Sequence, residues 1–115
     1  MVRYPTVKQL IEINRHVLTE IKVRKADRSV LMFGGQKVLE NILIDVKGEK
    51  GNIYDKAVVL LRDLIRRHPF ESGNRRTALV ATVAFLKSNN KIVNINHNVS
   101  ILQGIREGFY KNTEI

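Results

Sequence analysis

Residues 68–79 read HPFESGNRRTAL, and this stretch decides how the chain is organised. Pro69 lacks a backbone N–H and disfavours helical conformation at the residue before it, so a helix arriving from the N-terminal side has to end near His68. A helical pattern resumes over Arg75–Lys87. The stretch therefore joins two helices through a short loop that carries a histidine, an acid, a Gly-Asn pair and two arginines.

Each helix that flanks this loop shows an apolar face at helical spacing. Before the loop, the face consists of Ala57, Leu61, Leu64 and finally His68. After the loop, the face consists of Ala78, Thr82 and Phe85. We therefore predict an apolar face on each helix, with His68 ending the apolar stripe of the first at its C-terminus.

Capping signals indicate where two long helices begin. Thr6 followed by Gln9 matches the capping box, in which each side chain bonds to the other residue's backbone N–H. Asn52 suits an N-cap, and Asp55 is favoured in the first turn that follows. In the first helix, an apolar stripe follows the cap at Leu10, Ile13, Val17 and Ile21, before the charged run KVRKADR at 22–28.

Shorter elements are predicted between and after the long helices. SVLMFGG, residues 29–35, is too short for a helix and ends at two glycines, so we predict an extended flap or hairpin arm. We also predict a helix over 36–46, a loop over 47–52, a short strand over 92–95 and a last helix over 98–107. No repeat or linker divides the chain, so we expect one mostly α-helical domain over residues 1–115.

Composition narrows the classes of function. Because the chain has no cysteine, a disulfide framework and a thiolate zinc site are excluded. Apolar runs are too short for a membrane span or a signal peptide, so we expect a cytoplasmic location and no membrane partner. The net charge of +9 suits a polyanionic partner such as nucleic acid, but a basic surface is also common in proteins that bind none.

The loop has the properties of an anion site. The N–H groups of Gly73, Asn74, Arg75 and Arg76 begin a helix without helical partners, and such a terminus binds anions. Two cations in a first turn oppose the helix dipole, which suggests that a bound anion offsets the cost. His68 lies across the loop and could take a proton from a hydroxyl. The pattern favours phosphoryl or nucleotidyl transfer, with Arg76 stabilising developing charge.

Each residue also has a plainer interpretation. A histidine at a helix C-terminus commonly interacts with the helix dipole. Phe70 is expected to anchor the loop in the core, Gly73-Asn74 is a common turn, and the arginines could form a solvated basic face. The catalytic interpretation rests on all of these features falling within one loop.

The same residues carry a family resemblance. His68, Pro69, Phe70, Gly73, Asn74 and Arg76 resemble the Fic motif HPFx(D/E)GNGRxxR. The continuation RTAL resembles the death-on-curing (Doc) branch, whose motif reads HxFx(D/N)ANKRTAL. The segments TVKQLIEIN, residues 35–43 and NHNVSILQGIREG also resemble Doc-like proteins, so the resemblance covers nearly the whole chain.

The resemblance implies a compact all-α domain with the motif between two central helices, preceded by a flap. It implies transfer of a phosphate-containing group, phosphoryl or AMP, from ATP or another nucleotide to a hydroxyl of a protein substrate. In that scheme His68 is the general base, Gly73-Asn74 holds phosphates and Arg76 neutralises charge. An acid in the motif holds Mg²⁺, and the flap aligns the target chain by strand addition.

Three positions depart from the typical Fic motif. Ser72 stands where the family has an acid and brings no charge to a metal, so we expect weakened magnesium binding. Glu71 is the alternative metal ligand, although it comes one residue early and is expected to point elsewhere. Arg75 and Leu79 replace a glycine and an arginine, and both replacements resemble Doc.

The chain contains no (S/T)xxxE(G/N) inhibitory motif. In this family such an absence suggests a toxin restrained by an antitoxin in trans, or no restraint at all. Two alternatives remain open: a catalytically weakened module that binds a nucleotide or a partner on a Fic scaffold, and a basic nucleic-acid-binding protein. The last lacks a recognition-helix signature and stacking aromatics, and the sequence leaves the oligomeric state open.

Overall fold

Helices form most of the part of the chain that the structure, a computed structural model, describes, which is residues 1–20 and 29–93. They are α1 (Val7–Glu20), α2 (Gly35–Gly48), α3 (Ile53–Arg67) and α4 (Asn74–Ser88). The prediction of an all-α fold is confirmed. None of these helices is long and apolar enough to cross a membrane.

Both predicted capping signals start helices. In α1 the Thr6 N–H donates to Gln9 Oε1 at 2.9 Å, and the Gln9 N–H donates to Thr6 Oγ1 at 3.1 Å. In α3 the Asn52 N–H and the Asp55 N–H each donate to the other residue's side-chain oxygen at 2.9 Å. These reciprocal bonds satisfy backbone donors that have no partner inside the helix, so each helix begins where the sequence predicts.

The core lies where the four helices meet. α3 packs against α2 and α4, while α1 packs against α4 and α2. The predicted faces of α3 and α4 are buried at Ala57, Leu61, Leu64, Ala78, Thr82 and Phe85. On α1, Leu10 and Val17 are buried and Ile13 is half-buried, whereas Ile21 lies outside the described residues. The apolar periodicity therefore identified the packed faces of the long helices.

Helix α2 is longer than predicted at its C-terminal end. The predicted loop over 47–52 is wrong at its start, because the helix continues through Gly48. The Lys56 ammonium group, on α3, donates to the carbonyls of Val46, Lys47 and Glu49. A cation at these carbonyls satisfies acceptors that the helix leaves open and interacts favourably with its dipole, which stabilises the extra residues.

The flap pairs with the loop that follows α3. Leu31 and Phe70 form an antiparallel bridge, flanked by the Met32 N–H bond to the Pro69 carbonyl and the Glu71 N–H bond to the Val30 carbonyl, both 2.9 Å. The predicted extended conformation over 29–35 is confirmed up to the turn at Phe33 and Gly34. The pairing fixes the position of residues 68–73, the motif loop, against the start of α2.

The described residues cover only part of the segments predicted over 22–28, 92–95 and 98–107. Ile92 and Val93 are not in a strand, and the remainder of the predicted strand lies outside the described residues. The predicted helix over 98–107 and the charged run over 22–28 also lie outside them.

Candidate functional site

The residues singled out in the motif line one open cleft of 580 Å³ between the end of α3 and the start of α4. Its lining consists of Ile65, His68, Glu71, Ser72, Gly73, Asn74, Arg75 and Arg76. The six polar and glycine positions predicted for phosphate binding and catalysis therefore share one surface with Glu71, the alternative metal ligand, and with Ile65.

His68 occupies an unusual backbone conformation at the rim of the cleft. It follows the last residue of α3 with φ 51° and ψ 59°, in the left-handed region that non-glycine residues seldom adopt. The apolar stripe of α3 is buried at Leu64, whereas His68, at its end, is exposed. Among the described residues its imidazole has no hydrogen-bond partner, which leaves both ring nitrogens accessible to a ligand.

The physical reason for this exposure is the proline that follows. Pro69 disfavours right-handed helical conformation at His68, so the helix ends at Arg67 and the chain changes direction. Residues held in sparsely populated backbone regions persist when the surroundings fix them, and they cluster at functional sites. Here the buried Pro69 and the bond from the Met32 N–H to its carbonyl hold the turn in place.

Asn74 closes the loop with its side chain. The Phe70 N–H donates to Asn74 Oδ1 at 3.0 Å, and Asn74 Nδ2 donates to the Phe70 carbonyl at 2.7 Å, both in buried surroundings. Phe70 is itself fully buried, as expected of a core anchor. Both bonds tie the Asn74 side chain to Phe70, and the backbone N–H of Asn74 lies in the first turn of α4.

The N-terminus of α4 provides the anion-binding groups. Gly73 is the N-cap with φ 78°, and no side chain in the described part of the chain caps the helix. The first N–H groups of a helix have no helical acceptor, so they are free to bind an anion in the cleft. Arg75 and Arg76 are exposed, and neither forms an ion pair with a described residue. Two cations and a row of unpaired donors thus face the same opening.

Glycine is favoured at position 73 for a second reason besides its backbone conformation. A Cβ atom there would lie 3.1 Å from Leu18 Cδ2 and 3.2 Å from Asn14 Nδ2, so these side chains of α1 would have to move by a few tenths of an ångström to admit it. Asn14 is fully buried and donates to the Ser72 carbonyl at 2.9 Å and to Thr77 Oγ1 at 3.0 Å.

Sequence reasoning missed Asn14. The available signal was its position: it lies four residues after Leu10 and three before Val17, on the side of α1 that is buried. A polar residue inside an apolar stripe needs a partner, and the partner proves to be the motif loop.

The cleft offers few ligands for a magnesium ion. Ser72 supplies a neutral hydroxyl, Glu71 is the one carboxylate among the lining residues, and the described residues contain no cluster of three metal-binding side chains. Magnesium is commonly bound through one or two carboxylates plus substrate phosphates and water. Glu71 and Ser72 therefore fit an ion that takes most of its ligands from a bound nucleotide and from water.

Comparison with known proteins agrees with this geometry. The model of the Fic/DOC family matches residues 4–86, from just before α1 almost to the end of α4, and includes the whole motif loop. A search of curated proteins finds no match to the chain.

Proposed function

This chain belongs to the Fic/DOC family, and on that premise we propose that it transfers a phosphate-containing group from a nucleotide such as ATP to a hydroxyl of a protein substrate. The group is phosphoryl or AMP. The observation that carries the proposal is the shared cleft, in which His68 faces the uncapped N-terminus of α4.

Nucleotide phosphates are assigned to the backbone at the start of α4. The N–H groups from Gly73 to Arg76 and the helix dipole favour an anion there. Arg75 and Arg76 add two positive charges, which compensate for the missing motif acid by neutralising phosphate charge directly. A magnesium ion held by Glu71, Ser72 and the phosphates would add further neutralisation.

His68 is assigned the role of general base. Its imidazole takes the proton from the target hydroxyl, whose oxygen forms a bond to phosphorus. The bond between that phosphorus and the oxygen of the leaving group breaks. The leaving group is ADP if phosphoryl is transferred and diphosphate if AMP is transferred. Exposure of the ring suits this role, because a base that meets a macromolecular substrate has to be reachable from outside.

The flap is assigned to the protein substrate. The bonds at Met32 and Val30 point toward the motif loop, so the N–H and C=O of Leu31, between them, point to the opposite edge. An extended target segment could pair with that edge. The side chains of Val30, Met32 and Phe33 are exposed beside it and offer apolar contacts.

Within the family we place the chain in the Doc-like branch, as the toxin of a toxin–antitoxin pair acting in the cytoplasm. Arg75, the RTAL continuation and Leu79 support this placement. With no inhibitory motif in the sequence, restraint would come from an antitoxin in trans.

One observation favours a second candidate function. Ser72 removes the charged magnesium ligand of the motif, and a chain that had lost catalysis would keep the anion site and the core. In that case the protein binds a nucleotide or a partner without transferring a group.

Intact-mass analysis separates these functions. Candidate protein substrates are incubated with the purified chain, ATP and magnesium, and a gain of one phosphate or one AMP supports transfer. His68→Ala should keep the fold and lower the rate at least ~100-fold, because general base catalysis is lost. His16→Ala, at an exposed histidine on α1, is the matched control and should retain activity. A folded His68→Ala variant with wild-type activity would rule out the assigned base.

A further inference from the structure

The side chain of Asn14 is held in one orientation inside the protein. It is fully buried, and Nδ2 donates to the Ser72 carbonyl oxygen and to Thr77 Oγ1. A carbonyl oxygen can only accept, so the nitrogen rather than the oxygen of the amide has to face Ser72. Asn14 Oδ1 is buried and has no hydrogen-bond partner among the described residues.

This orientation determines where the next N–H points. The described part of the chain contains no cis peptide bond, so the C=O of Ser72 and the N–H of Gly73, which belong to one planar peptide unit, point in opposite directions. The carbonyl points at α1, where Asn14 binds it. The Gly73 N–H therefore points away from α1. The described residues that line the cleft, Gly73 among them, come from α3, the motif loop or α4, so the N–H points to the cleft side.

The second bond of Asn14 joins this peptide to α4. Thr77 accepts from Asn14 through Oγ1, and its N–H donates to the Gly73 carbonyl at 2.8 Å in the first turn of the helix. Asn14 thus connects the peptide before Gly73 to the turn after it. Burying the unpaired amide oxygen of Asn14 costs free energy, which an apolar side chain of similar size would avoid. The protein nevertheless has asparagine at the position of α1 that contacts the motif loop.

We propose that Asn14 is a positioning residue that directs the Gly73 N–H at the phosphate of a bound nucleotide. It contacts neither the nucleotide nor the reacting atoms and acts through the Ser72–Gly73 peptide. The proposal rests on the proposed function, since it assigns the ligand of the same cleft.

The test compares two variants that each remove a buried polar group. Asn14→Leu removes both donors without adding charge. Thr82→Val, on α4, removes a buried hydroxyl that also has no partner among the described residues, and Thr82 does not line the cleft. Isotope-labelled wild type and variants are titrated with ATP while the Gly73 amide signal is followed. Loss of one hydrogen bond to a charged group predicts roughly tenfold weaker ATP binding for Asn14→Leu, and Thr82→Val should bind as the wild type does.

The Gly73 amide provides a readout that a purely structural role would not move. In Asn14→Leu its signal should be displaced before ATP is added and should respond less at saturation, while both variants remain folded by circular dichroism. If Asn14→Leu binds ATP as tightly as the wild type, the role of Asn14 is overturned and the proposed function stands. If ATP leaves the wild-type Gly73 amide unmoved, the proposed function itself fails, and this role fails with it.

A second variant covers the case in which Asn14→Leu does not fold. Asn14→Asp keeps the shape of the side chain and replaces its two donors by an acceptor. The same loss of ATP affinity is expected, and wild-type affinity in this variant would overturn the proposal.

Discussion

Replacing Asn74 with alanine tests the bonds that close the motif loop. The side chain accepts from the Phe70 N–H at 3.0 Å and donates to the Phe70 carbonyl at 2.7 Å, and both bonds are buried. Alanine leaves one buried donor and one buried acceptor unpaired, each at a cost of about 1–3 kcal/mol. The expected loss is therefore about 2–6 kcal/mol in the free energy of unfolding, a large share of the roughly 5–15 kcal/mol typical of a domain.

Urea unfolding followed by circular dichroism measures this loss. Asn41→Ala is the matched control, because Asn41 is half-buried on α2 and has no hydrogen bond among the described residues. Alanine favours the helix there, so the control should change stability by no more than about 0.5 kcal/mol. A loss below about 1 kcal/mol for Asn74→Ala would show that water replaces the bonds and that the loop is not closed by this side chain.

Three further predictions concern the backbone at two glycines, the buried acid Asp63 and magnesium binding. Gly34 and Gly73 both have positive φ, so alanine at either should lower the free energy of urea unfolding by roughly 1–2 kcal/mol through backbone strain. Only at Gly73 would the new Cβ also meet Leu18, at 3.1 Å, so Gly73→Ala should lose more stability than Gly34→Ala. Equal losses would contradict the close approach of α1. Burial raises the pKa of Asp63 above its ordinary 3.8, because the folded protein favours the neutral carboxyl group. The protein should therefore be most stable with respect to this group below pH 3.8, and it should lose that stability as the pH rises through the raised pKa. Asp63→Asn should remove that loss in thermal unfolding measured over a pH series, and an unchanged pH profile would refute the burial effect. Ser72→Asp adds a carboxylate ligand, so it should lower the magnesium concentration for half-maximal transfer and raise the rate. A magnesium titration that shows neither change would mean that position 72 does not belong to the metal site.

Local signals account for what the sequence predicted well. The caps at Thr6 and Asn52 bond to residues three positions away, so neighbouring residues contain all the information that starts α1 and α3. The site residues share a cleft for a related reason. Residues 68–76 are contiguous, and a short loop between two packed helices keeps them together. The helix periodicity and the motif were therefore enough to predict the fold class and the cleft.

His68 shows what helix periodicity alone does not reveal about the end of α3. Periodicity continues the apolar face of α3 to position 68, whereas Pro69 ends the helix before it. The backbone of His68 then enters the left-handed region, and its side chain reaches solvent instead of the core. The proline therefore overrides the periodicity at this position.

Only the tertiary structure revealed what supports the loop. Asn14 lies 58 positions before Ser72, and Leu31 lies 39 positions before its bridge partner Phe70. Nothing in the local pattern of α1 or of the flap specifies such partners, because a hydrogen bond between distant segments depends on how the helices pack. That packing brings α1 within 3.2 Å of the position where a Gly73 Cβ would lie, and it directs the Ser72 carbonyl inward.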